Sequence, residues 1–192
     1  MAPRPRAALD GRTRLLGAVR LQQRRRSLER GALLVLIELE TLIDAPPERC
    51  FDLSLSVRLH LDSTAHTGER VVAGPTSGLL ALGDTITWEA RHFGRRRRMT
   101  VHITSWDRPR SFRDEMVAGP LRRLSHDHQF APVRGGALMR DEFEFATAFP
   151  PFDRLVLERH FRRLLERRNE TIRRAAEGDG WRRYVTTVSP AS

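Results

Sequence analysis

Gly83-Asp84-Thr85-Ile86-Thr87-Trp88-Glu89-Ala90-Arg91-His92-Phe93-Gly94 alternates between two faces, with Ile86, Trp88, Ala90 and His92 on one side of an extended chain. The same period recurs at residues 98–106, 111–117, 124–131 and 137–146, and a shorter run precedes it at 70–75. Gly83-Asp84, Gly94-Arg95, Asp107-Arg108-Pro109, Gly119-Pro120 and Gly135-Gly136 separate the runs. Spacers this short join antiparallel neighbours, because a parallel return needs a crossover of about a dozen residues. Pro150 and Pro151 then open a helix predicted to run to about Ala176, with Leu157, Phe161, Leu164, Leu165, Arg168 and Ile172 near one face. A bent antiparallel sheet closed by one long helix leaves a hollow between them.

Towards the N-terminus, Leu33 to Ile43 begins as a continuous apolar run and then alternates, which predicts a first strand. Asp44 reads as an N-cap before Pro46 and Pro47, with a short helix through Phe51. Residues 53–61, Leu-Ser-Leu-Ser-Val-Arg-Leu-His-Leu, alternate and by themselves say strand.

The chain holds 34 basic residues, all arginine, against 24 acids. Residues 1–30 contribute nine arginines against two acids, so +7 of the net +10 lies there and the remainder is nearly balanced. That N-terminal stretch is Arg-rich and weakly patterned, the composition expected of a disordered extension; the alternative is a true start near Val35, with these residues absent from the native protein. Affinity for nucleic acid would have to come mostly from it. The runs Arg95 to Arg98 and Arg162-Arg163 read instead as a hairpin turn and a solvated helix face, and no zinc-finger, RRM or helix-turn-helix pattern is present. Nucleic acid is therefore not an expected partner. Cys50 is the single cysteine, which excludes an internal disulfide and fits a reducing compartment. No apolar run spans a bilayer, since Ala32 to Ile37 ends at Glu38, so the expectation is a cytoplasmic protein without a membrane span.

Together with Phe112-Arg113-Asp114-Glu115-Met116 and Gly135-Gly136-Ala137-Leu138-Met139-Arg140-Asp141-Glu142-Phe143, the segment at 83–94 resembles the SRPBCC, or START-like, superfamily, and within it small bacterial polyketide cyclase/dehydrase-like proteins. The resemblance covers about Leu33 to Gly178. It implies an α+β helix-grip fold, a curved antiparallel sheet of about seven strands wrapped around a long C-terminal helix with two short helices after the first strand. It also implies helical chain at 53–61, against the local alternation. The domain organisation that follows is an extension at 1–30, a ligand-binding domain at 31–178 and a tail at 179–192.

Residues two apart on a strand share a face, so His126, His128 and Phe130 point one way, as do Phe112, Asp114 and Met116, and Met139, Asp141 and Phe143. With Trp88, His92, Leu157, Phe161 and Leu164 they form the candidate ligand-binding set, an aromatic and Met-lined pocket with a few polar groups. His126 or His128, oriented by Asp114 or Asp141, could act as general acid/base on a bound carbonyl compound. Equally, these four residues could simply satisfy one another along the sheet. His-x-His beside a carboxylate can supply three metal ligands, but no cysteine or helix-borne histidine completes a recognisable set, and neither metal nor cofactor is expected. The aromatics could equally be ordinary core. The expected function is binding of a hydrophobic or aromatic small molecule, lipid or polyketide-like, between sheet and helix. The alternative is an aromatase/cyclase-like enzyme, and an Arg-rich module docking on acidic partners through residues 1–30 stays open as a third class.

Overall fold

The computed structural model describes residues 34–147 and 156–185. The expectations for residues 1–30, for a helix start at Pro150 and for the last seven residues lie outside them. Seven strands form: β1 (Val35–Ile43), β2 (Arg70–Ala73), β3 (Thr85–His92), β4 (Arg95–Asp107), β5 (Ser111–Ala118), β6 (Arg123–Val133) and β7 (Gly136–Ala146). They make one curved, wholly antiparallel sheet in the order β1-β7-β6-β5-β4-β3-β2. Consecutive strands from β2 to β7 are neighbours, and the first strand closes on the last. Two short helices, α1 (Pro47–Ser54) and α2 (Val57–Thr64), follow β1, and a long helix, α3 (Glu158–Glu177), follows the sheet. This is the helix-grip α+β arrangement.

The alternation at 53–61 is not a strand. Ser56 caps α2 by accepting from the Leu59 amide at 3.3 Å and donates its hydroxyl to the Tyr184 carbonyl at 2.8 Å. Because a break separates the two helices, Leu53, Leu55, Val57 and Leu59 are all buried although the chain is helical. Two helical turns around a bend reproduce a period of two. Asp44 is not the cap of α1: Pro46 holds that position, and the Asp44 amide donates to Glu177 instead.

The β3–β4 hairpin turns on Phe93 and Gly94, both with positive φ, the type I′ pair that matches strand twist. Arg95–Arg98 therefore belong to β4 and not to the turn, since the tight turn uses only two residues. Arg98 stands opposite Glu89 in the ladder, and Arg70 pairs with it from the other side. Arg70, Arg96 and Arg98 all reach the buried Glu89 carboxylate at 2.7–3.1 Å. Hydrogen bonds from Arg98 and Arg70 hold its carboxyl down at about 2. A depressed folded-state value means stability that is present above the ordinary carboxylate range and lost as pH falls from about 4.5 to about 2. The melting-temperature deficit of Glu89→Gln relative to wild type should be constant near neutrality and shrink through that window. A deficit unchanged on acidification would contradict the assignment.

The inner sheet face is apolar at Ala137, Met139, Phe143 and Phe145, and it packs against α1, α2 and α3. Phe51 of α1 lies edge-on to Phe112 and Phe130, joining the helical layer to β5 and β6. Gly136 sits where a Cβ would overlap the Ile43 carbonyl, so β7 can approach β1 closely. Beyond α3, Asp179–Trp181 and Arg182–Val185 are helical: Tyr184 is buried and its hydroxyl donates to Asp62 at 2.9 Å.

Candidate functional site

Along β7 the inward positions read Ala137, Met139, Asp141, Phe143 and Phe145, so the sheet period carries one carboxylate into an apolar face. Register sets its neighbours. His128 of β6 lies opposite Asp141, His126 lies opposite Phe143, and Asp114 of β5 lies opposite His126. From above, the periodicity of α3 buries Leu165, Arg168, Asn169 and Ile172 on the same stripe.

The result is a polar cluster centred on the fully buried Asp141. Its Oδ2 accepts from Asn169 Nδ2 at 2.7 Å, its Oδ1 lies 3.0 Å from His126 Nε2, and the Arg168 guanidinium stands 3.5 Å away. Arg168 also donates to the Ser54 carbonyl at 3.2 Å. Burial alone would raise the Asp141 carboxyl, but the His126 hydrogen bond and the nearby His128 ring overcome that and hold it well below the ordinary carboxylate range. Asp114 behaves likewise, with burial opposed by its hydrogen bond to His128 at 3.0 Å. Burial, reinforced by the neighbouring His128 ring, pushes His126 down and favours its neutral form.

Above this floor is a cavity of about 150 Å³ between the sheet and α3, with β3–β7, α1 and α2 contributing to its walls. Trp88 forms one wall, stacked on His60 with ring centroids 4.1 Å apart, and His60 bonds Glu69 at 3.1 Å. Burial would raise the Glu69 carboxyl; the His60 hydrogen bond outweighs it and holds the group low. Phe112 stacks on His128 at 4.1 Å and Phe143 meets the His126 ring edge-on at 5.1 Å, which fixes both imidazoles. On the side nearer β3, His92 and His160 share a 3.1 Å hydrogen bond, with Phe93 packed on the His160 ring. Among the described residues, no helix is long and apolar enough to cross a membrane.

Residues 35–177 match the family described as polyketide cyclase/dehydrase and lipid transport. The chain belongs to that family. No curated protein sequence matches it. Among solved structures it is similar to TTHA0849 from Thermus thermophilus, with 20% identity over 79% of this chain and 97% of the other, at a TM-score of 0.55. A ginseng (Panax ginseng) major latex-like protein 151 is similar at 12% identity, 75% and 98% coverage and a TM-score of 0.58. A Thalictrum norcoclaurine synthase point mutant in complex with a transition-state analogue is similar at 10% identity, 76% and 95% coverage and a TM-score of 0.59. At such identities the likeness is one of fold.

Eight of the candidate ligand-binding residues line the cavity: Trp88, His92, Phe112, His126, His128, Phe143, Phe161 and Leu164. Phe130 and Met139 pack into the core beneath α1, while Leu157 and Met116 belong to the apolar cluster near β1 and the start of α3. Asp114 lines the cavity and Asp141 lies behind it. Helical spacing puts Arg168 on the inward stripe of α3 but assigns it no role, and sequence patterns do not single out Asn169, His60, Glu69 or His160. An arginine in an otherwise apolar helical stripe is the available signal for Arg168. Nothing local marks Glu69, which follows a polar segment.

Proposed function

We propose that this protein binds a hydrophobic or aromatic small molecule in the cavity between the sheet and α3. The observation that carries this reading is the cavity itself: aromatic walls from Trp88, Phe112, Phe143 and Phe161 above a polar floor. The family description, which names both lipid transport and cyclisation, supports the same class. Size discriminates within it. An apolar cavity of about 150 Å³ accommodates a guest of about one aromatic ring. A one-ring aromatic or short acyl compound, of polyketide-like or fatty character, fits as the structure stands. Apolar burial supplies most of the affinity, at about 25 cal/mol per Å² before ordering costs, and the histidines and Asp114 orient the guest's polar group.

The test is ligand-observed NMR with one-ring aromatics and medium-chain fatty acids. Saturation transfer to the aromatics, with intermolecular contacts to Trp88 and Phe143, is the expected result. An absence of transfer to every compound in both classes would contradict the proposal.

A further inference from the structure

Each of the two buried histidines turns one ring nitrogen towards Asp141 and the other towards Asp114. His126 Nε2 and His128 Nδ1 both lie 3.0 Å from Asp141 Oδ1. His128 Nε2 lies 3.0 Å and His126 Nδ1 4.0 Å from Asp114 Oδ2. Carboxylates accept and do not donate, so the three 3.0 Å contacts each call for a proton on the ring nitrogen, which leaves His126 neutral but puts protons on both nitrogens of His128. That would make His128 a buried imidazolium, its centroid 3.7 Å from the buried His126 ring. The arrangement is already imperfect: His128 Nδ1 is buried and makes no hydrogen bond despite its nearness to Asp141.

A cation on the Asp114 side removes the need for that buried imidazolium. Both rings can then be neutral, with their protons on the nitrogens facing Asp141 and their lone pairs on the nitrogens facing Asp114. We propose that Asp114, His126 and His128 form a three-ligand site for a divalent first-row transition-metal cation, with Asp141 as the supporting carboxylate that orients both imidazoles. Their donor atoms all lie within 4.8 Å of one another. Ligands about 2.0–2.1 Å from a zinc ion stand about 3.3 Å apart in a tetrahedron, so small side-chain adjustments close the site. Asp141 stays in the supporting position because Asn169 and Arg168 already engage it. Phe112 and Phe143 block ring rotation. Two imidazoles and one carboxylate suit zinc, cobalt or ferrous iron better than magnesium or calcium, which prefer all-oxygen shells. The remaining coordination positions face the cavity, where a carbonyl, hydroxyl or carboxylate oxygen of the guest can bind.

The cavity of the proposed function matters here only for those open positions. Cation binding is measured without any guest, so its failure would leave the small-molecule proposal standing. Full-length protein stripped with chelator should be titrated with Zn²⁺ by calorimetry and with Co²⁺ by visible absorption. One equivalent of each should bind, with cobalt ligand-field bands and no thiolate charge-transfer band. Asp114→Asn and His126→Gln should each weaken binding by more than about 100-fold, while His160→Gln should leave it unchanged. Circular dichroism identifies variants that fail to fold; for these, zinc-dependent imidazole ¹⁵N shifts of His126 and His128 in the wild-type protein replace the comparison. Folded wild-type protein that binds neither ion would overturn the proposal. So would binding weakened less than about tenfold in both folded ligand variants, or unchanged ¹⁵N shifts.

Discussion

Asp141→Ala should destabilise the domain by about 3–5 kcal/mol, because it removes one member of a buried charge cluster and strands the others. Arg168, with its side chain only 10% exposed, loses its carboxylate partner, and Asn169 and His126 each lose a hydrogen bond. The cost is that of leaving buried polar groups unsatisfied, not the net value of any one contact. Arg168→Met should cost less than Asp141→Ala: methionine fills much of the arginine's volume, and Asp141 keeps its bonds from Asn169 and His126. Chemical denaturation of both variants checks the order. A loss below about 1 kcal/mol for Asp141→Ala, in the range of an exposed ion pair, would show that the cluster does not hold α3 to the sheet.

Leu164→Trp should abolish guest binding while leaving the domain folded. Leu164 lines the cavity from α3, between Phe161 and Leu165 on one side and Arg168 on the next turn, and it is only partly buried. An indole there projects into space that a one-ring guest would occupy, and a cavity of about 150 Å³ cannot hold both. Loss of affinity should be at least tenfold, about 1.4 kcal/mol, with thermal unfolding still cooperative. Retention of wild-type affinity in a folded Leu164→Trp protein would move the guest elsewhere.

Much of this is legible in the chain, for identifiable reasons. A strand has a strict period of two, so the inward faces of β5, β6 and β7 follow from spacing once one aromatic is taken as buried. Spacing alone thereby groups His126, His128, Asp114 and Asp141. It does not give register, however, and only register shows that Asp141 stands opposite His128 and beneath both rings. The opposite failure occurs at 53–61, where two helices around a bend bury every second residue and counterfeit a strand; the resemblance, not the periodicity, reads it correctly. The Arg95–Arg98 run misleads because a two-residue turn leaves no room for arginines, and the carboxylate that gathers two of them lies on the partner strand. His60 with Glu69, and His92 with His160, are contacts between distant segments of a folded chain, and no local pattern announces them.

Whether the space under α3 is a binding site is tested most directly by native mass spectrometry of the protein purified from the cells that make it. The expected result is a 1:1 complex with a small organic molecule that is released on collisional activation and is absent from Leu164→Trp. A wild-type protein found only at its bare polypeptide mass, and still so after incubation with one-ring aromatic and acyl compounds, would contradict it.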